Sequence, residues 1–267
     1  MRIVDCHVHV TGVVDAKAVV QAMDRNGLAR MMVLSETERV SLGKTRRNLL
    51  ATKKLFEAAP DRMSGLAWVN PTIPGMAGLA EEAITDLGFA GLKIIPDHWY
   101  AWEPRLEPFW ERMNQLKAHI LFHTGILYGY DDGSRFCQPL WLEKLLHYPN
   151  IHFAMAHVSW PWCEECLAVM GRFGSAAQAS GTAWQSYIDL TPGTPNHIRK
   201  AAVGNAVDFA KPERILWGSD STIPGDLKYQ KEYLDIYLKL FDELGLTGKQ
   251  QERILSGTTE ELFPPRK

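Results

Sequence analysis

The chain has 267 residues, 46% hydrophobic and 22% charged, the composition of a soluble globular protein able to build and cover a large core. Its 29 Lys and Arg nearly balance 31 Asp and Glu, which gives no electrostatic reason to expect a nucleic acid or an acidic membrane as partner. No apolar run approaches the ~18 residues of a membrane span, and the four sparse cysteines, Cys6, Cys137, Cys163 and Cys166, read as reduced thiols of a cytoplasmic protein without a signal peptide.

Short apolar strands alternate with amphipathic helices along the chain. Strand 1 is Ile3–Val10, followed by a helix over Ala16–Arg25 that stops at Asn26-Gly27. Arg30–Ser35 is strand 2, and Lys44–Ala59 its helix. Met63–Val69 is strand 3, with a helix over Gly78–Leu87. Phe89–Ile95 is strand 4, closed by Pro96, with a helix over Pro104–Ala118. Strand 5 is His119–His123, and Pro139–Leu146 can form its helix. Ile151–His157 is strand 6, followed by a helix over Trp162–Phe173. Ala183–Leu190 is strand 7, with a helix over His197–Phe209. Arg214–Gly218 is strand 8, followed by helices over Lys228–Leu244 and Gly248–Phe263.

Eight strands, each followed by helical pattern, predict an α/β fold: a (β/α)8 TIM barrel in one domain spanning residues 1–267. The near-continuous apolar strands suit a sheet buried on both faces. An open doubly wound sheet is the alternative, but no strand is followed by GxGxxG.

Strand 1 carries the first chemical signal. Alternation is expected to put Asp5, His7 and His9 on one face and Cys6, Val8 and Val10 on the other. Two imidazoles two residues apart on a rigid strand can close on one metal ion from the same side. In a barrel the active site lies at the C-terminal ends of the strands. Strand 5 ends in His123, strand 6 in His157 and strand 8 in Gly218-Ser219-Asp220, so polar residues from four strands fall at one end. Each of these has a bland reading as a satisfied polar residue; their convergence is harder to reach by accident.

The set Asp5-x-His7-x-His9, His123, His157 and Asp220 resembles the amidohydrolase superfamily, and more closely its amidohydrolase 2 branch, which includes aminocarboxymuconate semialdehyde decarboxylase, resorcylate decarboxylases and dicarboxylate lactonases. Gly91-Leu92-Lys93-Ile94-Ile95-Pro96 is similar to that branch's strand 4, and His157-Val158-Ser159-Trp160-Pro161-Trp162 to its strand 6 turn. The branch often has a histidine where Ile95 stands, and its decarboxylases are usually longer.

The resemblance implies that His7, His9, His123 and Asp220 hold one divalent metal ion, zinc by ligand type with manganese or iron as alternatives. It implies a metal-activated water, with Asp220 moving the proton and His157 orienting the water or polarising the substrate. Lys93 is either a carbamate bridging two metals, as in binuclear members of the superfamily, or an inward lysine paired with a carboxylate such as Asp189. Trp99, Tyr128 and Trp160, with other aromatics over the site, suit a small flat or cyclic substrate, though such residues also pack loops. Arg46, like Lys44, Arg47 and Arg135, either holds a substrate carboxylate or is a solvated surface charge. The expected function is hydrolysis of a small amide, lactone or lactam. The alternative is non-oxidative decarboxylation of an unsaturated or aromatic acid at the same site. The expected partner is a small molecule, neither nucleic acid nor membrane, and a homodimer is left open.

Overall fold

The structure is a computed structural model that describes residues 1–12, 14–36, 41–225 and 227–264. The described residues form nine strands, β1 (Val4–Val10), β2 (Arg30–Leu34), β3 (Met63–Trp68), β4 (Gly91–Ile94), β5 (His119–Phe122), β6 (His152–Met155), β7 (Ser186–Asp189), β8 (Ile215–Leu216) and β9 (Ser221–Ile223). They form one parallel sheet in the order β8-β7-β6-β5-β4-β3-β2-β1-β9, so strands adjacent in sequence are adjacent in space from β1 to β8. That succession is what repeated right-handed strand–helix crossovers produce.

The predicted eighth strand is realised differently. Only Ile215 and Leu216 pair with β7, and the chain then leaves the ladder before β9 pairs with β1. The ladder is therefore not continuous around the barrel. Two backbone hydrogen bonds cross the break, from Cys6 N to Trp217 O at 3.1 Å and from Asp220 N to His7 O at 2.9 Å. Between the two short strands, Asp220 has a φ of +56° that turns the chain out of extended conformation just before β9.

The outer helices are α1 (Ala16–Asn26), α2 (Leu42–Glu57), α3 (Met76–Thr85), α4 (Glu107–Gln115), α5 (Cys163–Ser180), α6 (Asn196–Ala210) and α7 (Leu227–Glu243). Asp15 caps α1 by accepting from Lys17 N, and Gly27 ends it in the left-handed region at φ +74°. The predicted helix at Pro139–Leu146 is instead a 3₁₀ segment, Pro139–His147. The chain closes with α8 (Gly248–Glu252), a π-helical turn at Arg253–Gly257 and α9 (Thr258–Leu262). No helix among the described residues is long and apolar enough to cross a membrane.

Apolar residues fill both sides of the sheet. Cys6, Leu34, Leu66, Leu121, Ala154 and Leu216 meet inside the curl. Val8, Val10, Met31 and Val33 pack outward with the helices. This corrects the expected alternation along β1, which put Cys6 with Val8 and Val10. The β1–β2 register shifts between Asp5 and Val8, an irregularity that breaks the two-residue period. Cys6 faces inward as a result, while Asp5 reaches the side covered by α7, where Gln230 donates to it.

Trp99 is also corrected: it is a core residue rather than a wall of the site. Its ring is fully buried, 6.3 Å from that of Trp110, within the cluster between sheet and helices. Trp99→Ala is expected to cost about 3–5 kcal/mol of stability, as removing a buried tryptophan does. Thermal unfolding checks this; an unchanged Tm with altered substrate affinity would return Trp99 to the site.

Candidate metal centre

The C-terminal ends of β1, β3, β4, β5 and β6, with the turn between β8 and β9, surround a cavity of about 380 Å³. His9, His123, His157 and Asp220 line it together with Trp68, Ile95, Leu127, Tyr128, Tyr130 and Trp160. His7 sits just below, 1% exposed.

His7, His9 and Asp220 bring one ligand atom each within 4.8 Å of one another. Asp220 Oδ1 lies 3.1 Å from His9 Nε2 and 3.4 Å from His7 Nε2. Two imidazoles from one strand and a carboxylate from the adjoining turn fit a borderline divalent cation.

The proton on His7 is placed by Asp189 at the end of β7. His7 Nδ1 donates to Asp189 Oδ2 at 2.9 Å, which leaves Nε2 as the lone-pair nitrogen turned to Asp220. Thr191 holds Asp189 in turn, its N donating to Oδ1 at 2.8 Å and its hydroxyl to Oδ2 at 3.0 Å. Burial, and then the Lys93 charge, push the His7 pKa well below its ordinary value, so the ring is neutral at pH 7. Burial pushes the Asp220 carboxyl up, but His7, the hydrogen bond from His9 and His157 outweigh it. The carboxyl is held well below the usual carboxylate range.

Lys93 is fully buried on β4, and its Nζ donates to His7 Nε2 at 3.2 Å. Burial lowers its pKa to about 8 against the pull of Asp220 and Asp189. The expected pairing of Lys93 with Asp189 is thus not the hydrogen bond formed: both residues bond to His7, on opposite sides of the ring.

His123 and His157 lie side by side in the cavity lining, ring centroids 4.8 Å apart. His123 Nε2 donates to Ile126 O at 3.2 Å, and its atoms are not among those gathered by His7, His9 and Asp220. Burial holds His123 neutral at pH 7. His157 lies in a 3₁₀ turn at φ +62° and donates from Nδ1 to Pro192 O at 2.8 Å, leaving Nε2 as an acceptor. Gly193 is required beside it, because a Cβ there would sit 2.9 Å from that of His157.

The aromatic residues divide into two groups. Tyr128 stands at the mouth, 73% exposed, and Trp160 forms a wall. Tyr100 and Trp102 instead stack at 5.3 Å, with Phe136 and Trp141 against Tyr100, and so pack the loops. Trp68 escaped the sequence reading although it ends β3; its ring lies edge-on to His9 at 6.3 Å. The rule that strand ends build the site would have found it.

Arg46 is corrected from substrate binding to surface pairing. It is half-exposed on α2, bonds Glu82 on α3 and does not line the cavity that holds the histidines. Arg135 pairs with Asp132. Lys44 and Arg47 line a separate cavity of about 880 Å³ beside α2, with Asn48 and Leu55, to which none of the clustered histidines contributes.

The family model described as Amidohydrolase (Amidohydro_2) matches residues 4–264, and the chain belongs to this family. No curated protein matches it. Among solved structures it is similar to an uncharacterised TIM-barrel protein of Bordetella bronchiseptica, at 16% identity and TM-score 0.74 over 98% of each chain. A probable 2-pyrone-4,6-dicarboxylic acid hydrolase of Acinetobacter baumannii with citric acid bound is 16% identical, TM-score 0.66, over 98% of this chain and 99% of that one. The 5-carboxyvanillate decarboxylase of Novosphingobium aromaticivorans, complexed with manganese and 4-hydroxy-3-methoxy-5-nitrobenzoic acid, is 12% identical, TM-score 0.72, over 98% and 96%. At these identities the likeness speaks for the fold.

Asp189→Asn keeps the shape but lets the amide donate to His7 Nδ1, which moves the imidazole proton to Nε2. Affinity for a divalent ion is expected to fall about 10–100-fold, the usual cost of losing a partner behind a ligand. Chelator competition measures this; wild-type affinity in the variant would contradict it.

Proposed function

We propose that this chain is a metal-dependent hydrolase of a small cyclic or carboxylated amide, lactone or lactam. The observation that carries the reading is the gathering of His7, His9 and Asp220 at one edge of an aromatic-walled cavity, in a member of the amidohydrolase family. His7, His9 and Asp220 would hold one divalent ion, zinc first by ligand type and manganese or iron next, and His123, lining the same cavity, is the further donor. When bound, such an ion polarises an oxygen and lowers the pKa of water from about 15.7 towards 7.

The remaining steps belong to the side chains. Asp220, held ionised by its surroundings, takes the proton of the attacking water and delivers it to the leaving group. His157, with Nδ1 engaged by Pro192, orients that water through Nε2. Trp68, Tyr130 and Trp160 exclude bulk solvent and favour a flat ring, and a cavity of about 380 Å³ suits a small molecule. The four unpaired cysteines suit a reducing cytoplasm.

Decarboxylation of an aromatic or unsaturated acid at the same site is the second reading, favoured by the likeness to the manganese-containing decarboxylase. Panels of lactones, lactams and amides, run beside aromatic acids, separate the two. Ring opening without CO₂ release supports hydrolysis, and CO₂ release from the acids alone overturns it. Asp220→Asn keeps the shape and one oxygen but removes the base. It is expected to lower kcat about 10²–10⁴-fold and to retain more metal than His7→Ala. Near-normal turnover with metal retained would move the proton step to another residue.

A further inference from the structure

We propose that Gln230, in the outer helix layer, is a positioning residue for Asp220 that acts through Asp5 and Ser219. The inference rests on the reading of His7, His9 and Asp220 as a metal site.

Asp220 is a non-glycine residue at φ +56°, a conformation that persists only where its surroundings over-determine it. The segment that includes it is committed at every backbone N–H. Ser219 N donates to Asp5 Oδ1 at 2.9 Å, Asp220 N to His7 O at 2.9 Å, and Ser221 N to Ser219 Oγ at 3.1 Å. The Ser219 hydroxyl then donates to Asp5 Oδ2 at 2.6 Å. Asp5 is therefore the group on which the turn is fixed.

Asp5 is fully buried, and a buried carboxylate needs donors on both oxygens. Oδ1 accepts from Ser219 N and, at 3.2 Å, from His7 N, so one oxygen ties the backbones that carry two candidate ligands. Oδ2 accepts from the Ser219 hydroxyl and from Gln230 Nε2 at 3.0 Å. Gln230 comes from α7, is itself fully buried, and is oriented by Asn26 at the end of α1, whose Nδ2 donates to Gln230 Oε1 at 3.1 Å. The side-chain amide is thereby fixed with its nitrogen towards Asp5.

A chain of hydrogen bonds thus runs from α1 through α7 to the segment that aims Asp220. Removing the Gln230 donor leaves Asp5 Oδ2 with Ser219 alone and frees the carboxylate to turn. Ser219 and the strained turn move with it, while the cavity wall stays intact. Gln251 offers a matched control: it is buried on α8, and its Nε2 donates to Asp242 Oδ1 at 2.8 Å and Leu246 O at 3.1 Å.

The test is Co²⁺ binding to the full chain, read by chelator competition and by the visible absorption of the bound ion. Wild type, Gln230→Leu, Asn26→Ala and Gln251→Leu are compared, with thermal unfolding alongside. Gln230→Leu is expected to lower Co²⁺ affinity about 10–100-fold and to change the absorption spectrum. Asn26→Ala should move both in the same direction by less and serves if Gln230→Leu does not fold. Gln251→Leu should lower Tm but keep wild-type affinity and spectrum. Unchanged affinity and spectrum in the Gln230 or Asn26 variants overturns the inference, as does an equal loss in Gln251→Leu. Wild-type protein that takes up no Co²⁺ overturns the metal reading itself, and is told apart by that.

Discussion

A buried imidazole takes its tautomer from its neighbours. At the floor of this cavity the choice is made by Asp189, which accepts from His7 Nδ1 at 2.9 Å and leaves Nε2 directed at Asp220. The rest of the centre depends on that bond. Were the ring reversed or the proton moved, Lys93 and Asp220 would face an N–H or a different nitrogen, and the three candidate ligands would no longer converge. Thr191 fixes Asp189 from the loop after β7 and lies 3.1 Å from His157 Nδ1, so one hydroxyl joins two of the histidines' supports.

The centre also shows how buried charge is balanced. Asp189 and Asp5 are without solvent access, and burial raises both carboxyls to about 6. Among the described residues Asp5 is met by four donors and no cation, whereas Asp189 lies near Lys93 and His157. Lys93 supplies a cation beside His7 and draws on both Asp220 and Asp189. Carboxylates from β7 and the β8–β9 turn are thereby placed around one lysine and a group of imidazoles, a geometry that a lone apolar barrel would not require.

The strand ends were legible in the sequence because hydrophobic runs that stop abruptly at His or Asp are a local signal. His7, His9, His123, His157 and Asp220 fall at one end of the sheet for that reason. What was not legible depends on departures from local rules. The irregularity in β1 defeats simple alternation and separates Asp5 from the face of His7. Pairing in the eighth strand stops at Leu216 rather than Gly218, and the short β9 resumes only after the left-handed Asp220, a break that nothing in Trp217-Gly218-Ser219-Asp220 announces. Trp99 and Arg46 failed because membership of a loop or a basic run says nothing of which way a side chain points. Gln230 was hidden in a helix stripe dominated by Tyr233, Leu234 and Tyr237, where its amide is visible only once the partners are in place.

On the proposed function, β1 and the β8–β9 turn create a site for one divalent ion. Anomalous diffraction from crystals grown with zinc or manganese, collected across the metal's absorption edge, tests it most directly. One peak per chain is expected, in contact with His7, His9 and Asp220. Two peaks bridged through Lys93, or a peak held by other residues with this group empty, would contradict it.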